Sequence, residues 1–576
     1  MFQLKESSKT FDVCIIGSGA GGGMAAKVLT EAGLDTILLE AGPHFDATTG
    51  DMFRWPYQSP RRGAPTHRPF GEFDAAYGGW EIDGEPYTRV SGTEFDWFRS
   101  RMLGGRTNHW GRISLRFGPL DFKRKSVDGL GDDWPISYED VKPYYDRVDR
   151  LVGIFGTKEG LYNEPDGIFL PPPKPRGYEL LVKKACGKIN IPVIPSRLSI
   201  ITQNHNGRLA CHYCSQCNRG CGTHSNFSSP SVLLPPAEAT GNLTLLLNAM
   251  AREITTDREG KATGVSYVNK QDGLDYVVKA KAIVVAASAC ESARLLLNSK
   301  SPRHQIGLGN STDLVGKYLM DSTGVSLAGI IPELIDYIPH NEDGVGGMHL
   351  FIPWWLEGKT RDFTRGYHIE IGGGRQMPGY GFMGNIHSYN KILGDIDGEE
   401  RTRGGGGYGQ QLKEDYRRLY GSVVHLSGRG ECLAFKDNYC EIDPSLVDQW
   451  GIPVLRFHYK WSDHERNQAR HMSDTFEEII ETMRGRLMWA KSGADLDYGL
   501  AKPGRIIHEV GVIRMGNNSK TSVLNAYCQS HEVPNLFVAD GASFVSMADK
   551  NPTWTILALA MRTSEYIIDQ FKQQNI

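Results

Sequence analysis

Phe11-Asp-Val-Cys-Ile-Ile-Gly-Ser-Gly-Ala-Gly-Gly-Gly-Met24, continuing through Ala-Ala-Lys-Val-Leu-Thr-Glu31 to Thr36-Ile-Leu-Leu-Glu40-Ala-Gly42, decides the fold. Val13 to Ile16 is a short apolar run of the kind that forms a buried parallel strand. It breaks into glycines before a helix-like segment, Met24 to Glu31. Gly17, Gly19 and Gly22 give GxGxxG: one turns the chain, one lets a pyrophosphate approach the backbone, and one lets helix and strand pack closely. The helix N-terminus then offers unpaired N–H groups and a positive dipole end to phosphate. A second apolar strand, Thr36 to Leu39, ends at Glu40, where a carboxylate can accept hydrogen bonds from a ribose hydroxyl. Strand, turn, helix and acid together predict a dinucleotide site in a doubly wound α/β domain.

At 576 residues the chain exceeds what one hydrophobic core serves, so two domains are expected. A net charge of -3 offers no basic field for nucleic acid. No apolar run is long enough to predict a membrane span. The N-terminal MFQLKESSKT is polar and predicts no secretory signal. The ten cysteines are too dilute for a disulfide scaffold, yet four of them fall between 211 and 221.

Residues 50 to 100 lack periodicity and predict ordered loop. In Gly104-Gly105-Arg106-Thr107-Asn108-His109-Trp110-Gly111 paired glycines again allow backbone to lie against a ligand. Ser137 caps a predicted helix running to about Val152. Pro171 to Pro175 is a stiff crossing between units. Leu243 to Leu247, Gly264 to Tyr267 and Ala282 to Ala287 read as strands, and Ser292 to Asn298 as helix. From 326 to 494 the chain turns glycine- and aromatic-rich, as in Trp354-Trp355 and Gly404 to Gly407, with a helix from about Asp463 to Arg484. This stretch predicts a mainly β second domain whose aromatic rings either stack on a sugar or simply fill the core.

The last eighty residues carry the chemistry. Arg505 to Val512 alternates towards strand and holds His508. Asn535 to Gly541 reads as a buried strand ending at Asp540, an acid placed for the polar chain of a cofactor. Asn551 at N-cap and Pro552 at N1, followed by Thr553, open an apolar helix reaching about Phe571. A helix N-terminus there would favour negative charge on the pyrimidine edge of a flavin.

GSGAGG with Glu40, GGRTNHWG, Val315-Gly-Lys-Tyr-Leu-Met-Asp321, His508 before GVIRMG, and Val538 to Asp540 followed by NPTWTILALAMR together resemble the glucose-methanol-choline (GMC) oxidoreductases. The resemblance implies a Rossmann-like FAD-binding domain (1–165, 205–325 and 495–576) and a mainly β substrate-binding domain (166–204 and 326–494). It implies FAD contacts at Gly105, Asn108, His109, Ala251, Asp540, Pro552 and Thr553, and a catalytic His508–Asn551 pair. Chemically, an alcohol C–H leaves as hydride only if its O–H proton is taken by a base, and a neutral imidazole serves. Asn551 would hold the hydroxyl oxygen, unless its side chain is spent capping the helix. His109 sits where some pyranose-oxidising members attach FAD covalently; other members with a histidine there bind it without a bond.

Cys211-x2-Cys214-x2-Cys217-x3-Cys221 has the spacing of a ferredoxin-type loop, with tetrahedral zinc the alternative. A reduced flavin holds two electrons, and an iron–sulfur cluster passes them on singly. The loop is similar to that of the family's dehydrogenase branch, which holds a three-iron cluster through three cysteines spaced as Cys211, Cys217 and Cys221; Cys214 is extra and leaves a four-iron cluster open. That resemblance further implies a dehydrogenase oxidising a secondary hydroxyl of a sugar or glycoside, at C3, to a 3-keto-glycoside. It implies a small subunit bearing an export signal, a cytochrome c acceptor and a periplasmic setting; alone, the chain would be cytoplasmic. An oxidase using oxygen and a lyase of the hydroxynitrile type are the alternatives.

Overall fold

The computed structural model describes residues 5–46, 77–215, 217, 220–337, 344–374 and 409–576. Gly404 to Gly407, and much of the loop expected between 50 and 100, lie outside the described residues.

The opening stretch builds the first layer. Val13, Cys14 and Ile15 are fully buried in the strand Lys5–Ile16, which pairs in parallel with Thr36–Leu39 on one side and with Asp275–Val285 on the other. The seven-stranded sheet runs Ala249–Thr256, Ala262–Asn269, Asp275–Val285, Lys5–Ile16, Thr36–Leu39, Leu243–Leu246, and Leu536–Val538 joins it alongside Asp275–Val285. Its parallel strands end level: Ile16 pairs with Leu39 and Val285, and Val285 with Val538. Gly17, Glu40, Ala286 and Ala539 therefore leave the sheet at one edge, the place where open α/β sheets bind ligands. Helix Ala20–Glu31 starts earlier than expected, because the small residues Ala20 to Gly23 fit under neighbouring backbone. A Cβ on Gly21 would lie 1.6 Å from the Ala539 carbonyl oxygen, and one on Gly22 would lie 1.8 Å from that of Gly17. Ser137 caps helix Tyr138–Val152 through a reciprocal bond with Asp140.

The second layer is a six-stranded antiparallel sheet ordered Arg486–Leu487, Ser326–Ile330, Val423–Gly430, Tyr367–Gly373, Leu350–Ile352, Ile194–Pro195. Tyr367, Ile369, Ile371, Val424 and Leu426 pack with Met472, Phe476 and Ile480 of helix Asp463–Thr482. Trp354 and Trp355 are half-buried and pack against this core beside Tyr367.

Two expectations are corrected. Arg505 to Val512 forms no strand; it is a loop that touches its neighbour through a single bridge, Met320 to Val510. The hairpin Tyr439–Val447 and Pro453–His458, read as part of 326–494, buries Cys440, Leu455 and Phe457 in the core of the first layer. Its apolar residues face that core, and Phe457 stacks on Phe95 at 4.4 Å.

Candidate active site

One long cavity of about 460 Å³ runs from the glycine turn to the second sheet. At the sheet edge it is lined by Gly17, Gly19, Glu40, Ala251 and Asp540. A Cβ on Gly19 would meet nothing within 4 Å, so the cavity opens directly over this residue. Gly22 does not line it; its lack of a side chain serves helix-to-strand packing. Glu40 accepts the backbone N–H of Ser18 at 3.2 Å and that of Gly42 at 2.9 Å, and it also takes the Ser18 hydroxyl. Burial raises its carboxyl above the usual range, and those donors oppose the rise. Asp540 is engaged in the same way by the N–H groups of Ser288 and Ala542.

The GG turn closes the middle of the cavity. Gly104 N–H donates to the Ser18 hydroxyl at 2.8 Å, and Gly105 adopts φ +49°. Asn108, expected to touch the cofactor, instead donates its amide to the carbonyls of Leu103 and Gly105, both at 2.9 Å, and stays off the wall. Its carboxamide satisfies backbone acceptors that the tight turn leaves bare. His109 does line the cavity, with its ring edge-on to Phe98 at 5.5 Å. Burial first, then the guanidinium groups of Arg112 and Arg106, push its imidazole down to about 3.

At the far end His508 and Asn551 share the wall. The Asn551 amide donates to His508 Nε2 at 3.3 Å. An amide nitrogen only donates, so Nε2 carries the lone pair and Nδ1 carries the proton, which is donated to Ser322 Oγ at 2.9 Å. Burial and then Arg429 push this imidazole down to about 3, so it is neutral at working pH. The loop is pinned by Asp321, whose carboxylate takes the backbone N–H groups of Gly504 and His508 at 2.8 and 2.9 Å. Asn551 is not the helix cap: the helix is Thr553–Lys572, Pro552 occupies the capping position, and no side chain caps it. The Asn551 side chain is free for His508 because Pro552 and Thr553 themselves begin the helix at the cavity wall.

Residues 21–322 match the N-terminal GMC oxidoreductase family model, and residues 435–560 the C-terminal one. The chain is a GMC oxidoreductase. It is 30% identical over 98% of its length to 96% of 2-methyl-1,2-propanediol dehydrogenase of Mycolicibacterium austroafricanum. It is 25% identical over 98% of both chains to the fructose dehydrogenase large subunit of Gluconobacter japonicus, and 26% identical over 98% of its length to 92% of paromamine 6'-oxidase of Streptomyces fradiae. Pyridoxine 4-oxidase from Mesorbium loti shares the fold, with a TM-score of 0.61 at 16% identity over 97% of this chain and 99% of that one.

GMC oxidoreductases bind FAD, and the residues here fit that group. Open space over Gly19, the carboxylates of Glu40 and Asp540 at the sheet edge, and the start of helix Thr553–Lys572 suit its ribose, its pyrophosphate and its ring.

The cysteine loop of this GMC oxidoreductase does not assemble as expected. Among the described residues no three His, Cys, Asp or Glu side chains form a group able to hold a metal ion. No disulfide joins Cys211, Cys214, Cys217 or Cys221. Burial pushes Cys211 up to about 12, and its sulfur accepts the Tyr213 N–H at 3.4 Å. The described residues thus show no ready ligand set for an iron–sulfur cluster.

Sequence reasoning missed Glu370 and Arg429, which line the cavity beside His508. Their carboxylate and guanidinium pair at 3.0 Å. Burial alone would raise the Glu370 carboxyl; Arg429 and His368 outweigh it and hold it down at about 2. The signal was present as alternation: His368 and Glu370 between Tyr367, Ile369 and Ile371, and His425, Ser427 and Arg429 between Val424, Leu426 and Gly428.

Proposed function

We propose that the chain is an FAD-dependent dehydrogenase oxidising a secondary hydroxyl of a sugar or glycoside, with His508 as the base. The observation that carries this is the His508–Asn551 pair: a neutral Nε2 that accepts a long 3.3 Å contact from the Asn551 amide, whose Oδ1 is buried without a hydrogen-bond partner. A hydroxyl entering between them would donate its proton to Nε2 while its oxygen accepts from the Asn551 amide. Ser322 holds the other ring nitrogen and keeps Nε2 aimed at the cavity. The imidazolium so formed lies near Glu370, whose carboxylate favours it. Bound FAD would supply the hydride acceptor.

The names of the propanediol and fructose dehydrogenases support a hydroxyl-bearing substrate with more than one oxygen. The choice of C3, giving a 3-keto-glycoside, rests on the resemblance of the loop Cys211 to Cys221 to that of the family's dehydrogenase branch. A cytochrome c acceptor and an export-bearing small subunit rest on the same ground. Passage of electrons through the cysteine loop rests on the resemblance alone; iron analysis and EPR of the purified holoprotein decide whether the loop takes a cluster. The test of the proposal is anaerobic bleaching of the flavin by a panel of glycosides and polyols, with and without dye. Bleaching by a glycoside supports it, and no bleaching by any of them overturns it. Rapid peroxide formation in air would mark an oxidase.

A further inference from the structure

The antiparallel register places His368 opposite Arg429, Glu370 opposite Ser427 and Gly372 opposite His425. Paired residues share a sheet face, so all six point away from the core that holds Ile369, Ile371 and Leu426. A central strand pair of a mainly apolar sheet thus shows an acid, an arginine, a serine and two histidines on one side. Ion pairs so sequestered contribute little to stability, and this one lies on the wall it shares with His508 and Asn551.

The donors and acceptors of the pair are set out for a ligand. Arg429 Nη1 donates to Ser427 Oγ at 2.6 Å and to the Gly428 carbonyl at 2.8 Å, which fixes the guanidinium plane. Its Nη2 reaches Glu370 Oε2 at 3.0 Å. The second oxygen, Oε1, stands 3.6 Å from His368 Nε2. A carboxylate offers several lone-pair sites and an arginine five N–H donors, so both keep capacity beyond these contacts.

We propose that Glu370 and Arg429 are the specificity-determining residues for a vicinal diol: the hydroxyl next to the reacting carbon donates to Glu370 and accepts from Arg429. This rests on the dehydrogenase reading above and names the substrate class of the same site. A lone alcohol would leave the charged pair desolvated and unanswered, which is how a polar pocket rejects a deoxy analogue.

The experiment compares kcat/KM of the holoenzyme for a methyl glycoside with its analogues lacking one hydroxyl beside the oxidised carbon, in wild type, Glu370→Gln, Arg429→Met and Arg429→Lys. Wild type should favour the parent by about 10²-fold. Glu370→Gln and Arg429→Met should bring that preference within about threefold; both also act on His508 and so change parent and analogue rates together, which is why the ratio within each variant is read, and Arg429→Lys should restore part of it. Flavin content and circular dichroism confirm folding of each variant, and Arg429→Lys with Glu370→Gln retains bulk at both positions should Arg429→Met misfold. A preference that survives in Glu370→Gln, or a wild type indifferent to the missing hydroxyl, overturns the diol assignment alone. No turnover of any polyol by wild type overturns the dehydrogenase reading and this assignment with it.

Discussion

The Asp321 carboxylate accepts the backbone N–H of His508 at 2.9 Å across 187 residues of sequence, and so fixes the height at which the imidazole enters the cavity. It does the same for Gly504 and reaches towards Ile506. One buried acid holds a loop that has no strand to hold it.

Asp321→Ala should therefore slow catalysis without touching substrate. Leaving buried N–H donors unsatisfied costs about 1–3 kcal/mol each. A lowered Tm and a kcat reduced by at least roughly tenfold, with KM little altered, are expected. Unchanged kcat in a correctly folded variant would show that the loop is held by other means.

His508→Ala should lower the rate of flavin bleaching by about 10²–10⁴-fold, the range for loss of a general base. Flavin content should stay as in wild type, because the ADP end of the cavity is some distance along the wall at Gly19 and Glu40. Rapid-mixing absorbance measures both.

Asn551→Ala should act differently from loss of a helix cap. The helix Thr553–Lys572 takes no cap from Asn551, so Tm should move little while kcat/KM falls. A large loss of Tm with normal turnover would return Asn551 to the capping role.

Gly19→Ala and Gly21→Ala should separate cofactor binding from folding. A methyl on Gly21 collides with the Ala539 carbonyl, whereas one on Gly19 enters open cavity. Gly21→Ala should destabilise the apoprotein; Gly19→Ala should leave apoprotein Tm near wild type and weaken FAD binding, measured by flavin fluorescence on titration.

Acid should weaken the fold over a defined window. His109 and His349 are buried, with imidazoles pushed down to about 3 and about 4, mainly by desolvation. The unfolded chain takes up protons at these residues near pH 6.5 and the folded chain does not, so stability is complete above pH 6.5 and falls as pH drops towards 4. Each contributes a loss of up to about 2 kcal/mol by pH 5. Chemical denaturation at pH 7, 6 and 5 reads the slope, and replacing His349 with Gln should flatten it.

The segments legible in sequence were those where local pattern and fold agree. VCII, the glycines and Glu40 gave the sheet edge, because a parallel strand, its turn and its helix are all local. The final helix was equally plain, with its boundary displaced by the two residues that start it. Asn551 was paired with His508 through the family resemblance alone, since Asn before Pro is by itself the ordinary mark of a helix cap and the fold is what brings His508 to it. His508 was found within a misread element: the alternation of Arg505 to Val512 arises from a loop pinned by Asp321, not from sheet pairing. Glu370 and Arg429 were passed over because two short polar alternations, fifty-odd residues apart, mean nothing until the strands pair. The cysteine loop was read from its local intervals, electron accounting and a family resemblance, while the fold sets how far each sulfur stands from the others.

The proton-handling residues hang from a loop and a helix start of the first layer, and the charged face opposite them belongs to a sheet with its own apolar backing. Chemistry and choice of substrate are thus carried by separately supported pieces of one wall. A library confined to positions 368, 370, 372, 425, 427 and 429 would change which alcohol is taken without displacing His508 or Asn551, whose supports lie elsewhere.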